Sequence, residues 1–361
     1  MSPIRLLVDS LADADGLNAQ MTNARDIMSR LDPARFHVTT FCVGKPDARL
    51  VQRPSTRIIQ LPQRRQTLRI YSEFVTGKHE ILFYVKPSPA ARIYLAIRPK
   101  WFDKRVVIGT VESQSDLRNE PTIKTEQIRL WERTILRSDY LFSNSSSVRK
   151  NLEKEYGLPS EVVPTGVDTK FFTPEWHRRA NGRVRVLFVG SLRPFKGPQL
   201  LLRAAPRFPN AEFVIVGDGL MAAELEDRVR REKLANVRFA GELGVSAVRE
   251  QYCAADIFLF PSHWEGSPKV ILEAAACGLP VIARADYQPE TVLDGKTGYL
   301  GRGEDELLAH LERLISSPDL RKSMGRAARA HIEKFDWDPI TRQWEEIFLR
   351  LAPKKRAAKS Q

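Results

Sequence analysis

The feature that most constrains this chain is an alternation of short apolar runs with amphipathic stretches of helical period. Short apolar runs between turn residues are typical of buried strands, and apolar residues at 3.6-residue spacing are typical of helices. Strands that alternate with helices favour parallel pairing with right-handed crossovers. In the first half the predicted strands are Ile4–Val8, Phe36–Cys42, Ile58–Leu61, Ile81–Val85, Val106–Val111 and Tyr140–Ser143, with helices over Leu17–Leu31, Pro121–Arg137 and Ser146–Tyr156.

The same alternation starts again in the second half. The predicted strands there are Val184–Val189, Phe213–Val216, Val237–Ala240, Ile257–Phe260, Val281–Ala283 and Tyr299–Leu300. The predicted helices are Gly197–Ala205, Leu220–Leu234, Val245–Ala254 and Lys269–Cys277.

The 361 residues therefore favour two doubly wound, Rossmann-like α/β domains in series. We predict the first over residues 1–170 and the second over residues 171–335. The join lies in 164–182, which is rich in Pro, Gly, Thr and charge. Residues 336–361 hold a last helix, Trp337–Leu351, and a basic tail. The apolar stripe of that helix must be buried, and packing back across the first domain is one solution.

Composition excludes several classes of protein. The three cysteines, Cys42, Cys253 and Cys277, are far apart and form no CxxC pair, which argues against a disulfide framework or structural zinc. No apolar run approaches the roughly 20 residues of a membrane span. The first apolar run is too short for a signal peptide. The sequence thus predicts a cytoplasmic protein.

A net charge of +13 indicates an anionic partner, although a solvated basic surface is the alternative interpretation. Nucleic acid is excluded, because no recognised binding module or aromatic-basic interleaving is present. Basic residues are densest at Arg64, Arg65 and Arg69 and in the tail after Pro353. We hypothesise that 63–71 and the tail dock on the inner face of an anionic membrane.

The stretch Val186–Gly197 ends a strand and enters a helix through a basic turn. A helix start offers backbone N–H groups and a positive dipole end to an anion. With Ser191, Arg193 and Lys196, this turn predicts a diphosphate site. An exposed turn with two solvated cations is the alternative.

Two glycine turns are weaker candidates for the same anion. Gly217, Asp218 and Gly219 follow a predicted strand and permit close backbone approach, although turn chemistry explains them nearly as well. Gly16 precedes the first helix and would let its N-terminus face the diphosphate. It falls short of a GxGxxG fingerprint.

The strongest candidate is Pro261–Ala283. Glu265 follows a predicted strand, and Gly266, Ser267 and Pro268 open a helix. Glu273 then lies in an apolar run, where an unpartnered carboxylate costs several kcal/mol. Sugar hydroxyls are suitable partners, because one carboxylate can accept from two of them. A salt-bridged helix is the alternative interpretation.

These motifs resemble the retaining glycosyltransferases with the two-Rossmann GT-B fold, known as glycosyltransferase family 4. The matching pieces are V-P-T-G-V-D-T-K-F-F, V-G-S-L-R-P-F-K-G, V-G-D-G and E-G-S-P-K-V-I-L-E-A-A-A-C-G-L-P-V-I-A. They cover roughly 143–300 and occur in the order and spacing of the family. The resemblance is thin over the first 110 residues.

The resemblance implies a nucleotide-diphosphate sugar, most often UDP- or GDP-linked, as donor, with no cofactor and no metal. Glu273 would bind the ribose, Lys196 the diphosphate, and Glu265 the donor sugar. The backbone of Gly266, Ser267, Pro268, Lys269 and Val270 would hold sugar and phosphates. The acceptor, a cell-surface glycan or lipid-linked saccharide, would bind the first domain, and the last helix would cross back onto that domain.

Two positions depart from the family. Ser191 stands where the family often has Arg, and Arg193 is a candidate substitute. Glu112 stands where the family often has a His close to the reacting sugar. A carboxylate there would bind a sugar hydroxyl or help the acceptor lose its proton, or it would mark a non-catalytic nucleotide-sugar-binding protein. A GT-B-type epimerase or phosphorylase is a further alternative.

Overall fold

The computed structural model of the protein describes residues 2–15, 18–98, 104–112, 125–175 and 182–353. The chain forms two compact units. The first comprises 1–165 and 337–361, and the second comprises 166–336. The chain passes from the first unit to the second at 165/166, five residues before the predicted boundary of 170/171. The reason is that Val167 and Phe172 are buried in the core of the second unit. The chain returns to the first unit at 336/337, one residue after the predicted boundary of 335/336. Asp336 belongs to the second unit because its carboxylate accepts a hydrogen bond from the Thr169 hydroxyl.

The first unit is built on a seven-stranded parallel sheet of order β3-β2-β1-β4-β5-β6-β7. Its strands are β1 (Ile4–Leu11), β2 (Phe36–Cys42), β3 (Thr56–Gln60), β4 (Ile81–Phe83), β5 (Val106–Val111), β6 (Tyr140–Ser143) and β7 (Glu161–Val162). Its helices up to residue 165 are α1 (Ala19–Arg30), α2 (Ala48–Gln52), α3 (Gln66–Thr76), α4 (Pro89–Ile97), α5 (Thr125–Glu132) and α6 (Ser146–Tyr156).

The six predicted strands of this unit are present, and the differences have local causes. β4 ends at Phe83 rather than Val85, because Tyr84 has a left-handed backbone with φ 59°. The predicted helix 121–137 is shorter than expected: α5 ends at Glu132, and a separate 3-10 helix follows over Ile135–Arg137. Residues 121–124 lie outside the described part of the chain.

Helix ends follow capping residues that are visible in the sequence. Asn18 accepts from the Met21 N–H at 2.9 Å and starts α1. Ser145 caps the Val148 N–H at the start of α6, which ends at Gly157 with φ 64°. Ser88 caps α4 in the same way, although this helix was not predicted. An oxygen at the N-cap satisfies an N–H that has no partner within the helix.

The second unit is built on a six-stranded parallel sheet of order β10-β9-β8-β11-β12-β13. Its strands are β8 (Arg185–Val189), β9 (Glu212–Val216), β10 (Val237–Gly241), β11 (Ile257–Phe260), β12 (Val281–Arg284) and β13 (Gly298–Gly301). Its helices are α7 (Gln199–Ala204), α8 (Ala222–Glu232), α9 (Val245–Cys253), α10 (Lys269–Ala276), α11 (Glu304–Ser316) and α12 (Pro318–Ile332). The predicted strands and the four predicted helices are present, whereas α11 and α12 were not predicted.

The last helix, α13 (Trp337–Leu351), has the predicted bounds and belongs to the first unit. Its apolar stripe completes one of the cores of the first sheet. The Trp344 ring lies 4.7 Å from Phe83 and 5.0 Å from Phe142, measured between centroids. The expected return of this helix to the first domain is therefore confirmed. Among the described residues, no helix is long and apolar enough to cross a membrane.

Both sheets share the strand order that creates a binding edge. The order reverses between β1 and β4 in the first sheet and between β8 and β11 in the second. In open parallel sheets, ligands bind at the carboxyl ends of the strands where the order reverses. The loops after these four strands are therefore the places to look for function.

Candidate active site

In the second unit, the loops after β8 and β11 bring two predicted residues together. The Lys196 ammonium group forms an ion pair with the Glu265 carboxylate. The Ser262 hydroxyl donates to Glu265 Oε1 at 2.7 Å. Only 18% of the Lys196 side chain and 14% of the Glu265 side chain are exposed, so the pair is held in a partly dry environment. Lys196 and Glu265 were predicted from the sequence, whereas Ser262 was not.

Aromatic rings fix the position of the Lys196 ammonium group. Its nitrogen lies 5.1 Å from the centroid of Phe195 and 5.4 Å from that of Phe260. Phe195 stacks on Trp264 at 4.1 Å with an interplanar angle of 14°. The stack joins the loop after β8 to the loop after β11, and cation–π attraction favours a lysine above such rings. These aromatic residues were not singled out in the sequence.

Glu273 lies in α10 and has a partner that sequence reasoning missed. The Tyr252 hydroxyl, from α9, donates to Glu273 Oε2 at 3.0 Å. Burial raises the pKa of Glu273, while the Lys269 charge and the Tyr252 hydrogen bond act in the opposite direction. Burial and the nearby Glu273 charge also raise the pKa of Tyr252, so that the hydroxyl keeps its proton. Among the described residues, this hydrogen bond holds the carboxylate through Oε2.

The glycines after β9 serve loop packing in this structure. Gly217 has φ 129°, and a Cβ there would lie 2.0 Å from the Gly190 carbonyl oxygen. Gly219 has φ 155°, and its Cβ would lie within 3.0 Å of the Leu192 backbone. The interpretation by turn geometry therefore accounts for both glycines. Ligand binding by Gly217, Asp218 and Gly219 stays a prediction.

Other predicted donor-binding residues lie close to Lys196 or Glu265 in the sequence. Ser191 and Arg193 are exposed on the loop after β8. Pro268 is the N-cap of α10 and provides no side-chain cap to the first turn of the helix. Gly266, Ser267, Lys269 and Val270 lie in or beside this first turn. Their binding roles stay predictions.

In the first unit, Glu112 follows β5, and side chains from two other elements donate to its carboxylate. Its carboxylate accepts from the Tyr84 hydroxyl and from Asn23 Nδ2, the latter at 3.3 Å to each oxygen. Asn144 Nδ2 donates to the Glu112 carbonyl oxygen at 3.0 Å. Tyr84 has a left-handed backbone, and its hydroxyl reaches Glu112 from that conformation. The structure therefore fixes Glu112 in a polar cluster that the sequence did not reveal.

A small pocket beside Glu112 is lined by Asn23, Asn144, Trp337 and Trp344, among others, and has a free volume of about 20 Å³. Asn23 Oδ1 and Asn144 Oδ1 are buried there without a hydrogen-bond partner among the described residues. A polar cavity of this size accommodates about one water molecule. The pocket itself is therefore too small for a sugar.

A buried carboxylate, Asp9, lies where the strand order reverses in the first sheet. The Lys86 N–H, just after β4, donates to Asp9 Oδ2 in β1 at 2.9 Å. Burial raises the pKa of Asp9 from 3.8 to about 6 and lowers the pKa of Lys86. Neither Asp9 nor Lys86 was singled out in the sequence. Gly16, predicted nearby, lies outside the described residues.

Asp9 makes stability depend on pH in a defined direction. Because its folded pKa of about 6 lies above the ordinary 3.8, the folded state binds more protons between these pH values. The free energy of unfolding of the first unit should therefore fall as pH rises through this window, by roughly 3 kcal/mol at about 1.36 kcal/mol per pKa unit. Urea unfolding of wild type and Asp9→Asn at stepped pH measures the difference. The exposed Asp305→Asn variant should keep the wild-type dependence, and an unchanged dependence in Asp9→Asn would contradict the assignment.

No group of three or more His, Cys, Asp and Glu side chains suited to a metal ion occurs among the residues that the structure describes. The charged groups at the binding edge of the second sheet include Lys196, Glu265 and Glu273.

Comparison with known proteins agrees with these motifs. The family model "Glycosyl transferases group 1" matches residues 171–331. The D-inositol 3-phosphate glycosyltransferase of Corynebacterium jeikeium is 32% identical over 282 residues, covering 70% of this chain and 67% of the relative. That of Acidothermus cellulolyticus is 32% identical over 251 residues, covering 62% and 56%. The chain thus spans about half to two thirds of the length of these relatives.

Solved structures show the same fold over nearly the whole chain. Sucrose-phosphate synthase from Thermosynechococcus elongatus has a TM-score of 0.77 at 20% identity, covering 97% of this chain and 99% of that one. Anabaena HepE in complex with UDP and glucose has a TM-score of 0.75 at 17% identity, covering 96% and 100%. The resemblance seen in the motifs is confirmed, and the chain belongs to the group 1 family of glycosyl transferases, with the GT-B fold.

Proposed function

We propose that this glycosyltransferase moves a sugar from a nucleotide-diphosphate donor to a saccharide or lipid-linked acceptor, with retention of anomeric configuration and without a metal ion or cofactor. The observation that carries this proposal is the Lys196–Glu265 ion pair where the strand order reverses in the second sheet. A fixed cation at this edge faces the place where a diphosphate binds in such sheets.

In the proposed reaction, Lys196 stabilises the negative charge that develops on the departing diphosphate. Preorganised charges of this kind are often the largest single contribution to catalysis. The N-terminal end of α10, which has no side-chain cap, would add the positive end of the helix dipole near the phosphates. Glu265, held by Ser262 and Lys196, accepts from hydroxyls of the donor sugar.

Glu273 is proposed to bind the nucleotide ribose. Tyr252 occupies Oε2, which leaves Oε1 and the remaining lone pairs for the ribose hydroxyls. The partly buried position suits this role, because hydrogen bonds from the ribose hydroxyls would offset the desolvation of the carboxylate. UDP is the first nucleotide to test, since the structure of Anabaena HepE was solved with UDP and with UDP-glucose.

Glu112 is proposed to act on the acceptor side, by binding a sugar hydroxyl or by taking the acceptor proton. Its fixed carboxylate, held by Tyr84 and Asn23, supports a positioned role. The same residue favours the second candidate function, a non-catalytic nucleotide-sugar-binding protein, because it stands where the resembling family often has histidine.

Two observations guide the choice of acceptors to test. The net charge of +13 favours an anionic acceptor. The relatives are named for D-inositol 3-phosphate, so phosphorylated cyclitols join saccharides and lipid-linked saccharides in the panel.

We also propose a cytoplasmic protein in peripheral contact with an anionic membrane. Residues 63–71 overlap the start of α3, where Leu68 is 63% exposed. The basic tail from 354 lies outside the described residues.

A panel of nucleotide sugars with EDTA present tests the proposed function, with release of the nucleotide diphosphate as the readout. Wild type should release it from one donor. Glu273→Ala should weaken donor binding about 10- to 100-fold, because a hydrogen bond to a charged group contributes about 1.5–3 kcal/mol. Glu265→Ala should lose release as well. The exposed Glu226→Ala variant is the matched control and should behave as wild type.

Two other outcomes decide between the candidates. Saturable binding of one nucleotide sugar, without release in the presence of any acceptor, would favour the non-catalytic protein, and Glu112→His would then be the next variant. Release that needs a divalent cation would contradict the metal-independent mechanism. Binding of no nucleotide sugar would overturn both candidate functions.

A further inference from the structure

A groove on the first unit is lined by three arginines and three apolar residues. Arg92, Ile93, Ala96 and Ile97 come from α4, and Arg133 and Arg137 come from the segment around the 3-10 helix Ile135–Arg137. The groove has a volume of about 380 Å³. We call these six residues the arginine groove.

The three arginines have no acidic partner among the residues that the structure describes. Within the described part of the chain, no carboxylate lies within ion-pair distance of Arg92, Arg133 or Arg137. Elsewhere in the same unit guanidinium groups are paired, as Arg98 is with Asp139 at 2.8 Å. Three unpaired guanidinium groups around one groove create a positive potential that favours an anion with several oxygen atoms.

The other half of the arginine groove is apolar and open to solvent. Ile93 is 44% exposed, and Ala96 is also exposed on the same helix. Helix α3, which packs on α4, exposes Leu68. An apolar strip beside unpaired arginines is typical of surfaces that lie in the headgroup region of a bilayer. A small soluble anion would make no apolar contact with the exposed Ile93.

The arginine groove lies apart from the proposed chemistry. The 3-10 helix ends at Arg137, just before β6 begins at Tyr140, which places it at the amino end of the sheet. Glu112 follows the carboxyl end of β5, at the opposite edge. A ligand in the groove therefore leaves the carboxyl edge accessible.

We propose that the arginine groove binds the phosphate of an anionic phospholipid and docks the first unit on a membrane surface. The guanidinium groups hold the phosphate oxygens, and Ile93 and Ala96 contact the apolar boundary beneath the headgroups. This deepens the membrane contact proposed above by giving it a binding site. Its test does not use catalysis, so its failure and the failure of sugar transfer are distinguishable.

Co-sedimentation with vesicles tests the proposal, using the full chain. Vesicles of phosphatidylcholine mixed with phosphatidylglycerol should bind the protein, and vesicles of phosphatidylcholine alone should not. Each of Arg92→Gln, Arg133→Gln and Arg137→Gln should weaken binding about fivefold, the equivalent of about 1 kcal/mol per basic residue near an anionic surface. The triple variant should lose about 100-fold. Ile93→Ser should also weaken binding, which a purely electrostatic contact would not predict.

Controls separate the groove from general charge and from misfolding. Arg207→Gln removes an exposed arginine of the second unit and should bind as wild type. All variants should keep the wild-type thermal unfolding midpoint. Unchanged binding by the triple variant would overturn the proposal. The proposal would also be overturned if millimolar glycerol phosphate displaced the protein from vesicles as completely as competing anionic vesicles do. The groove would then be a site for soluble phosphate esters.

Discussion

Lys196→Ala is expected to lower kcat by about 10²–10³ with only a modest change in KM. Removing one preorganised donor to developing charge costs about 2.7–4 kcal/mol of transition-state stabilisation. The structure strengthens this expectation, because Glu265 and the rings of Phe195 and Phe260 hold the ammonium group in place before any ligand binds. Steady-state kinetics with the donor identified in the panel provide the measurement.

Two variants make the Lys196 result specific. Lys296→Ala removes an exposed lysine of the same unit and should leave kcat unchanged. Lys196→Arg keeps the charge with a different geometry and should recover part of the rate, because a guanidinium group does not replace an ammonium group atom for atom. Near-normal turnover in Lys196→Ala would remove this residue from the mechanism. A large rise in KM at unchanged kcat would assign it to ground-state binding instead.

The second large effect is on stability. Trp344→Ala should lower the free energy of unfolding of the first unit by about 3–5 kcal/mol, as truncation of a buried aromatic side chain does. Trp344 is 3% exposed and packs against Phe83, Phe142 and Phe348. Helix α13 thus contributes to the core of a unit whose other residues precede it by more than a hundred positions. Urea unfolding monitored by tryptophan fluorescence and circular dichroism measures the change.

The matched control for Trp344→Ala lies on the same helix. Leu349 is 40% exposed, and Leu349→Ala should change stability by no more than about 0.5 kcal/mol, as for most surface substitutions. A small effect of both substitutions would mean that α13 does not complete the core of the first unit. Equal losses of stability in both variants would indicate an effect on the formation of α13 rather than on the packing of Trp344.

The secondary structure and the family followed largely from local sequence. Apolar runs such as Ile257–Phe260 define buried strands, and Ser145 and Gly157 set the ends of α6 through capping. Helices α3 and α4 were not predicted, although the Ser88–Pro89 pair at the start of α4 is a recognisable helix signal. The motif around Glu265 and Glu273 was also readable, because its chemistry is confined to one strand, one turn and one helix.

The partners of the charged residues were not readable from the sequence. Tyr252 meets Glu273 from a different helix, and Tyr84 and Asn23 reach Glu112 from two other elements. No periodicity in the sequence encodes such contacts, because they depend on how the elements pack after they have formed. The arginine groove has the same origin, since α4 and the 3-10 helix are separated by more than thirty residues in the chain.

The sequence by itself determined two alternations of strand and helix, the edges where ligands bind, and the residues that mark the family. Tertiary structure decided which side chains support those residues and where the last helix is buried. The physical reason is that strand and helix periods, caps and turns are short-range properties of the chain. Ion pairs such as Lys196–Glu265 and cores such as that around Trp344 instead arise between distant segments, through burial that only the folded chain provides.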